Sequence, residues 1–247
     1  MKVIVDGLAI EYTENGSGSP LLLLHGWGSS TEPFSDLITE LSKSHHVYAP
    51  NLPGFDGSER PKSIWGVADY AQFVAAFCNK VGIEPEVILG HSFGGQTAVN
   101  IVGNKLLNPK KLVLIAASAI RPTADAKNRS IGLLAKVGKT LIGKTSFGQA
   151  ARKRLYGSLG SSEYLADIAM QPIYRRVITE DQGQSAAKIT CPTLLIWGES
   201  DVDAPLERGK KLNQLIKGSK LKIYSGGHFI FREAKNEVTP DIVEFIK

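Results

Sequence analysis

Val87-Ile88-Leu89-Gly90-His91-Ser92-Phe93-Gly94-Gly95 is the stretch on which the fold turns. Val87–Leu89 is a short, continuous apolar run, as expected of a strand buried on both faces. From Gly94 to Val102 the residues read as a helix that stops near Gly103. Between strand and helix stands G-x-S-x-G, the pattern of a sharp turn that lifts a serine hydroxyl clear of the sheet. Glycines two positions either side of Ser92 suit such a turn, because a Cβ there would collide with neighbouring backbone. The helix N-terminus beneath offers backbone N–H groups and the positive end of a dipole to a developing oxyanion.

On either side of this stretch the same strand-then-helix rhythm recurs. Leu21–Leu24, His46–Ala49, Leu112–Ala116 and Thr193–Trp197 are further buried-strand runs, and Leu221–Tyr224 alternates like a strand nearer a sheet edge. Helical stretches lie between them: Pro33–Ser42, Ala68–Val81 ending at Gly82, Leu206–Ile216 ending near Gly218, and Asp241–Lys247 after Pro240. The opening, Lys2–Ile4 and Leu8–Tyr12 about Asp6-Gly7, reads as an antiparallel hairpin. Alternation of this kind predicts an α/β fold with a mostly parallel central sheet flanked by helices. One segment departs from it. Between Ser118 and Lys188 there are only helix-like pieces, Asn128–Leu141, Phe147–Tyr156, Ser161–Ala169 and Ile173–Ile178. These predict an inserted helical cap over 119–187, dividing the core into 1–118 and 188–247.

Composition bounds the function. The chain has 247 residues, enough for one α/β domain with an insertion. Its net charge is +5 and its basic residues are spread along the chain, with no dense Lys/Arg block of the kind that marks a nucleic-acid arm. No apolar run approaches the roughly 18–20 residues of a membrane span. Met1–Asp6 alternates at once like a strand, without the cationic and long apolar regions of a signal peptide. A cytoplasmic protein is expected. Cys78 and Cys191 lack CxxC spacing and read as buried, reduced thiols, so no metal site is expected.

A serine hydroxyl is a poor nucleophile until a base takes its proton. Of the five histidines, His45 and His46 enter an early strand and read as structural, and His91 would point off the turn that carries Ser92. His228, in the loop Ser225-Gly226-Gly227-His228 after the last strand, is placed to reach the serine. The base needs an orienting carboxylate, and in Trp197-Gly198-Glu199-Ser200-Asp201-Val202-Asp203 both Asp201 and Asp203 qualify by position. The end of Leu112–Ala116 carries Ala117 and Ser118 and no acid. The order is therefore Ser, Asp, His. His25-Gly26-Trp27-Gly28 follows the first buried strand. The backbone N–H of Trp27 would serve as an oxyanion donor alongside that of Phe93, with His25 a buried, turn-stabilising residue.

Five pieces in this order, H-G-W-G at 25–28, N-L-P-G-F-D-G-S at 51–58, G-H-S-F-G-G at 90–95, W-G-E-S-D-x-x-x-P at 197–205 and G-G-H at 226–228, resemble the α/β-hydrolase superfamily along essentially the whole chain. The resemblance aligns the acid with Asp201 in preference to Asp203, and places an acid, Glu233, five residues beyond the histidine. It implies a serine esterase acting through an acyl-enzyme on a small-molecule ester, with catalytic Ser92, Asp201 and His228 and no cofactor. The 51–58 segment departs from the usual D-x-P-G-x-G-x-S, with Asn51 first and Asp56-Gly57 within it. An aspartate nucleophile, as in haloalkane dehalogenases and epoxide hydrolases, is disfavoured by Ser92. Carbon–carbon bond hydrolases usually carry H-G-x-G-P-G, whereas Ser29-Ser30 follows Gly28 here. H-G-W-G also resembles a methyl esterase acting on a carrier-protein ester. In that light the basic residues that crowd 121–188, Arg152, Lys153 and Arg154 among them, suggest an acidic acyl-carrier partner. A reading of another class is a small-molecule receptor that retains the triad.

Overall fold

The computed structural model describes residues 1–121 and 168–247. Its centre is an eight-stranded sheet: β1 (Lys2–Val5), β2 (Leu8–Asn15), β3 (Ser19–Leu24), β4 (His45–Pro50), β5 (Val87–His91), β6 (Lys111–Ile115), β7 (Thr193–Gly198) and β8 (Lys220–Tyr224), in the order β1-β2-β4-β3-β5-β6-β7-β8. The β1–β2 and β2–β4 pairs are antiparallel and every later pair is parallel. All eight strands expected from the sequence are present, and β8 lies at the edge, where its alternation placed it.

The continuous apolar runs follow from burial on two faces. Successive strand residues point to opposite sides. Leu22, Leu24, Ile88, Leu112, Leu114, Leu195 and Trp197 therefore belong to one core. Leu21, Leu23, Val87, Leu89, Val113, Ile115, Leu194 and Ile196 belong to the other. The first core is covered by α2 (Val67–Val81), α3 (Phe93–Gly103) and α6 (Leu206–Leu215), the second by α1 (Ser35–Leu41), α7 (Ile230–Glu233) and α8 (Lys235–Ile246). Helix α2 buries Val67, Tyr70, Ala71, Phe73, Val74, Phe77 and Cys78, and each large apolar side chain among them contributes about 1.5–3 kcal/mol relative to exposure. It ends on Gly82 in the left-handed region, φ 77°, a C-terminal stop that glycine adopts without steric cost. Burial pushes the Cys78 thiol up to about 12. Cys191 is unpaired, as expected, but only partly buried.

Two helical boundaries differ from expectation. The last helix begins at Lys235 and carries Pro240 inside it, and α7 precedes it unannounced. Proline costs a helix one hydrogen bond. Here Pro240 is exposed, and the buried stripe Val238, Ile242, Ile246 runs past it. Packing of that stripe decides the outcome against local propensity.

The cap expected over 119–187 falls mainly on 122–167, outside the described residues, as do Asn128–Leu141, Phe147–Tyr156 and most of Ser161–Ala169. Of its ends, Ile173–Ile178 corresponds to α4 (Gln171–Val177), followed by α5 (Gly183–Ala186). The end of α4 is tied to the core by two side chains. Gln96 Nε2 donates to the carbonyls of Val177 and Glu180 at 3.1 and 2.9 Å, and Arg121 donates to the same two oxygens at 3.1 and 2.9 Å. Among the described residues no helix is long and apolar enough to cross a membrane.

Candidate active site

Strand β3 pairs with β4 on one side and β5 on the other. The connections therefore diverge at β3, and a crevice opens beyond the carboxyl ends of the strands at such a point. Five loops meet there, after β3, β5, β6, β7 and β8.

The loop after β5 is the turn itself. Ser92 has φ 52° and ψ −113°, a conformation that side chains rarely adopt and that is held only when its surroundings over-determine it. Those surroundings are identifiable. Ser92 N–H donates to the Ile115 carbonyl at 3.0 Å, and the Ser92 carbonyl accepts from Gln96 and Ser118 N–H groups, each at 3.0 Å. A Cβ at Gly90 would lie 2.6 Å from the Gly94 carbonyl oxygen, and one at Gly94 would lie 2.2 Å from that of Leu24. Glycine is required at both, as the motif implied.

The loops after β7 and β8 bring two more side chains to the serine. His228 Nε2 lies 2.9 Å from Ser92 Oγ, and His228 Nδ1 lies 2.8 Å from Asp201 Oδ2. Asp201 Oδ1 accepts from the backbone N–H groups of Asp203 at 2.9 Å and Ala204 at 2.8 Å. The Asp201 side chain has no exposed surface. A carboxylate only accepts, so Nδ1 carries the proton and Nε2 is left to accept from the serine hydroxyl. Of the two acids, Asp201 reaches the imidazole and Asp203 lies beside the pair. Burial raises the Asp203 carboxyl, the nearby His228 opposing and Asp201 reinforcing the effect. Asp201, Asp203 and His228 present ligand atoms within 4.8 Å of one another, the spacing of a cation site. The His228 nitrogens and Asp201 oxygens are, however, committed to each other, to Ser92 and to the acid loop.

The loop after β3 lies against the same serine: a Cβ on Gly26 would be 3.2 Å from Ser92 Cβ. Trp27 packs edge-on against Phe93 at 5.2 Å and tilts over Tyr174 at 5.2 Å. Phe93 opens α3, so its N–H has no acceptor within the helix. His25 is wholly buried. Its Nδ1–H donates to the Gly26 carbonyl at 2.7 Å and its Nε2 accepts from Leu52 N–H at 2.8 Å. It holds the loop as expected, and burial lowers its pKa to about 4. The unusual 51–58 segment is a turn braced both within itself and against its neighbours. Asn51 Nδ2 donates to the Asp56 carbonyl at 2.7 Å and Asn51 Oδ1 accepts from Thr31 N–H at 3.0 Å. Glu233 accepts from the Gly227 N–H and steadies the loop ahead of His228.

Sequence reasoning did not anticipate two neighbours. Ser118 Oγ lies 3.4 Å from Ser92 Oγ. It stands just beyond β6, in a loop whose sequence signals only that it lacks an acid. His91 does point away from the serine, as expected, but toward His228.

The two buried imidazoles carry a stability consequence. His25 and His91 ionise at about 4 and about 3 in the fold, against 6.5 unperturbed, burial being the main cause for both. Below pH 6.5 the unfolded chain binds protons that the native one refuses. The contribution is therefore full above 6.5 and is lost as pH falls toward 4 and 3. At about 1.4 kcal/mol per pH unit for each group, unfolding at pH 5 should be easier than at pH 7 by about 4 kcal/mol. Urea titrations at the two values check this, and an unchanged midpoint would contradict it.

Residues 19–133 match the family model described as alpha/beta hydrolase fold. An uncharacterized hydrolase of Bacillus subtilis is 26% identical over 98% of this chain and 96% of its own. The 2-hydroxy-6-oxo-2,4-heptadienoate hydrolase of Pseudomonas putida is 25% identical over 92% of this chain and 89% of its own. The solved structure of an esterase from Exiguobacterium antarcticum superposes with a TM-score of 0.79 at 21% identity, covering 98% of this chain and 97% of that one, which is agreement of fold. Together with the eight-stranded sheet and the turn at Ser92, these matches show that the chain has the α/β-hydrolase fold.

Proposed function

We propose that this hydrolase cleaves carboxylic esters through an acyl-enzyme on Ser92. The observation that carries the reading is the unbroken hydrogen-bond chain from Ser92 Oγ through His228 to Asp201. Ser92 Oγ attacks the ester carbonyl while its proton passes to His228 Nε2. Asp201 stabilises the imidazolium through Nδ1–H, and the Trp27 and Phe93 N–H groups receive the oxyanion. The carbonyl–oxygen bond then breaks and His228 returns the proton to the leaving alcohol. Water, deprotonated by His228, attacks the acyl carbon and releases the acid with Ser92 restored.

Carbon–carbon bond hydrolysis is a second reading, favoured by the likeness to the Pseudomonas putida enzyme. Against it, Ser29-Ser30 replaces the Pro-Gly that usually follows the second glycine of that loop. A panel of p-nitrophenyl esters of rising acyl length, run beside an amide, a lactone and a vinylogous diketone, separates the readings. Ester turnover is expected. Turnover of the diketone alone would replace this proposal with the second, and turnover of nothing would favour a receptor.

The partner is a further part of this reading. Between 121 and 188 there are twelve basic and five acidic residues, an excess that would draw in an acidic acyl-carrier protein and be screened by salt. Arg152, Lys153 and Arg154 lie outside the described residues. Their joint reversal to Glu should raise KM for an acyl-carrier ester at low salt and leave a small neutral ester unchanged. An equal response of both substrates, or of neither, would contradict it.

A further inference from the structure

We infer that His91 is a positioning residue for the base, holding the main chain of His228 as Asp201 and Ser92 hold its ring. The inference rests on the reading of His228 as the base and adds a third attachment to it.

His91 closes β5 immediately before Ser92 and is 1% exposed. Its Nε2 lies 3.0 Å from the carbonyl oxygen of His228. A carbonyl can only accept, so Nε2 bears the proton. In the neutral ring Nδ1 is then a buried lone pair, and it has no hydrogen-bond partner among the described residues. Buried polar atoms are nearly always paired, and an exception calls for a reason. The reason here is the other nitrogen. An apolar residue would pack in this place without an orphaned atom, but it would leave the His228 carbonyl without this donor.

The surroundings fix the ring. Phe34, Phe229 and Phe231 pack on it at centroid distances of 5.7, 5.4 and 5.1 Å, and the His228 ring lies 4.9 Å away. A Cβ at Gly26 would come within 3.1 Å of Nδ1. The imidazole is thus wedged between the loop after β3 and the loop after β8, the loops that bear Trp27 and His228. The titratable groups facing it are His228 and His25, both basic. Burial, with the charge of His228 added, lowers its own pKa to about 3. The donor therefore stays neutral and in place over the working range of a histidine base.

With its carbonyl anchored, the His228 main chain is held against sliding along the crevice. With Nδ1 on Asp201, its ring is held against rotation. A displacement of about 1 Å in such a group can cost on the order of 100-fold in rate.

The test compares His91→Gln, whose side-chain amide reaches the position of Nε2, with His91→Asn, whose amide reaches only that of Nδ1, and with His91→Leu. Turnover of p-nitrophenyl acetate gives kcat and KM, and proton NMR follows the His228 Nδ1–H bonded to Asp201. Asn and Leu should lower kcat about 10- to 100-fold with KM within about twofold. Their Nδ1–H resonance should broaden or vanish. Gln should recover kcat to within about fivefold and keep the resonance. If Leu does not fold, the Gln–Asn pair decides alone. Equal activity in Gln and Asn, or a full-rate Leu variant, would overturn the inference. Failure of the wild type to turn over ester would refute the proposed function instead, and the NMR comparison would still decide whether His91 holds His228.

Discussion

Ser92→Ala is expected to lower kcat for ester hydrolysis on the order of 10⁶-fold, the usual scale for removing a triad nucleophile. The fold should survive the change. The side chain of Ser92 contributes hydrogen bonds to His228 at 2.9 Å and Ser118 at 3.4 Å, while the turn is held by the backbone bonds to Ile115, Gln96 and Ser118. Those bonds are indifferent to the hydroxyl, so the thermal midpoint should move little. Steady-state kinetics and a melting curve on the same sample check both halves. Near-normal turnover in the variant would remove Ser92 from the mechanism.

The second large effect separates the two aspartates. Asp201→Asn should cut kcat by roughly 10⁴, by analogy with loss of the orienting acid in other triads. Asn can keep its Oδ1 for the Asp203 and Ala204 N–H groups, which places its NH₂ against His228 Nδ1. A donor there forces the proton onto Nε2, and the base then faces Ser92 with no lone pair. Asp203→Asn should cost far less, because Asp203 does not bond the imidazole by either nitrogen. Parallel kinetics of the two variants decide the matter. A larger loss in Asp203→Asn than in Asp201→Asn would contradict the assignment of the acid.

How much of this was legible in the sequence depended on whether the controlling interaction was local. The buried strands were, because burial on both faces leaves unbroken apolar runs such as Leu21–Leu24 and Thr193–Trp197. The turn at Ser92 was, because Gly90 and Gly94 are demanded by backbone a few residues away and by the strand beside it. Helix α8 was misjudged because Pro240 is a strong local signal and the stripe Val238, Ile242, Ile246 answers to a sheet far away in sequence. Position alone left Asp201 and Asp203 equal, since two residues in one loop differ only in which way the loop turns. Ser118 and His91 were missed as partners for the same reason. Their contacts, across 26 and 137 positions of chain, exist only once β6 and β8 are docked beside β5 and β7.

A covalent acyl intermediate on Ser92 can be trapped. The protein is mixed with a p-nitrophenyl ester, quenched in acid within the first turnovers, and analysed by intact mass and peptide mapping. A single acyl addition is expected on the peptide bearing Ser92, formed in step with a burst of p-nitrophenol and absent from Ser92→Ala. Turnover without an adduct, or an adduct carried by another residue, would contradict it.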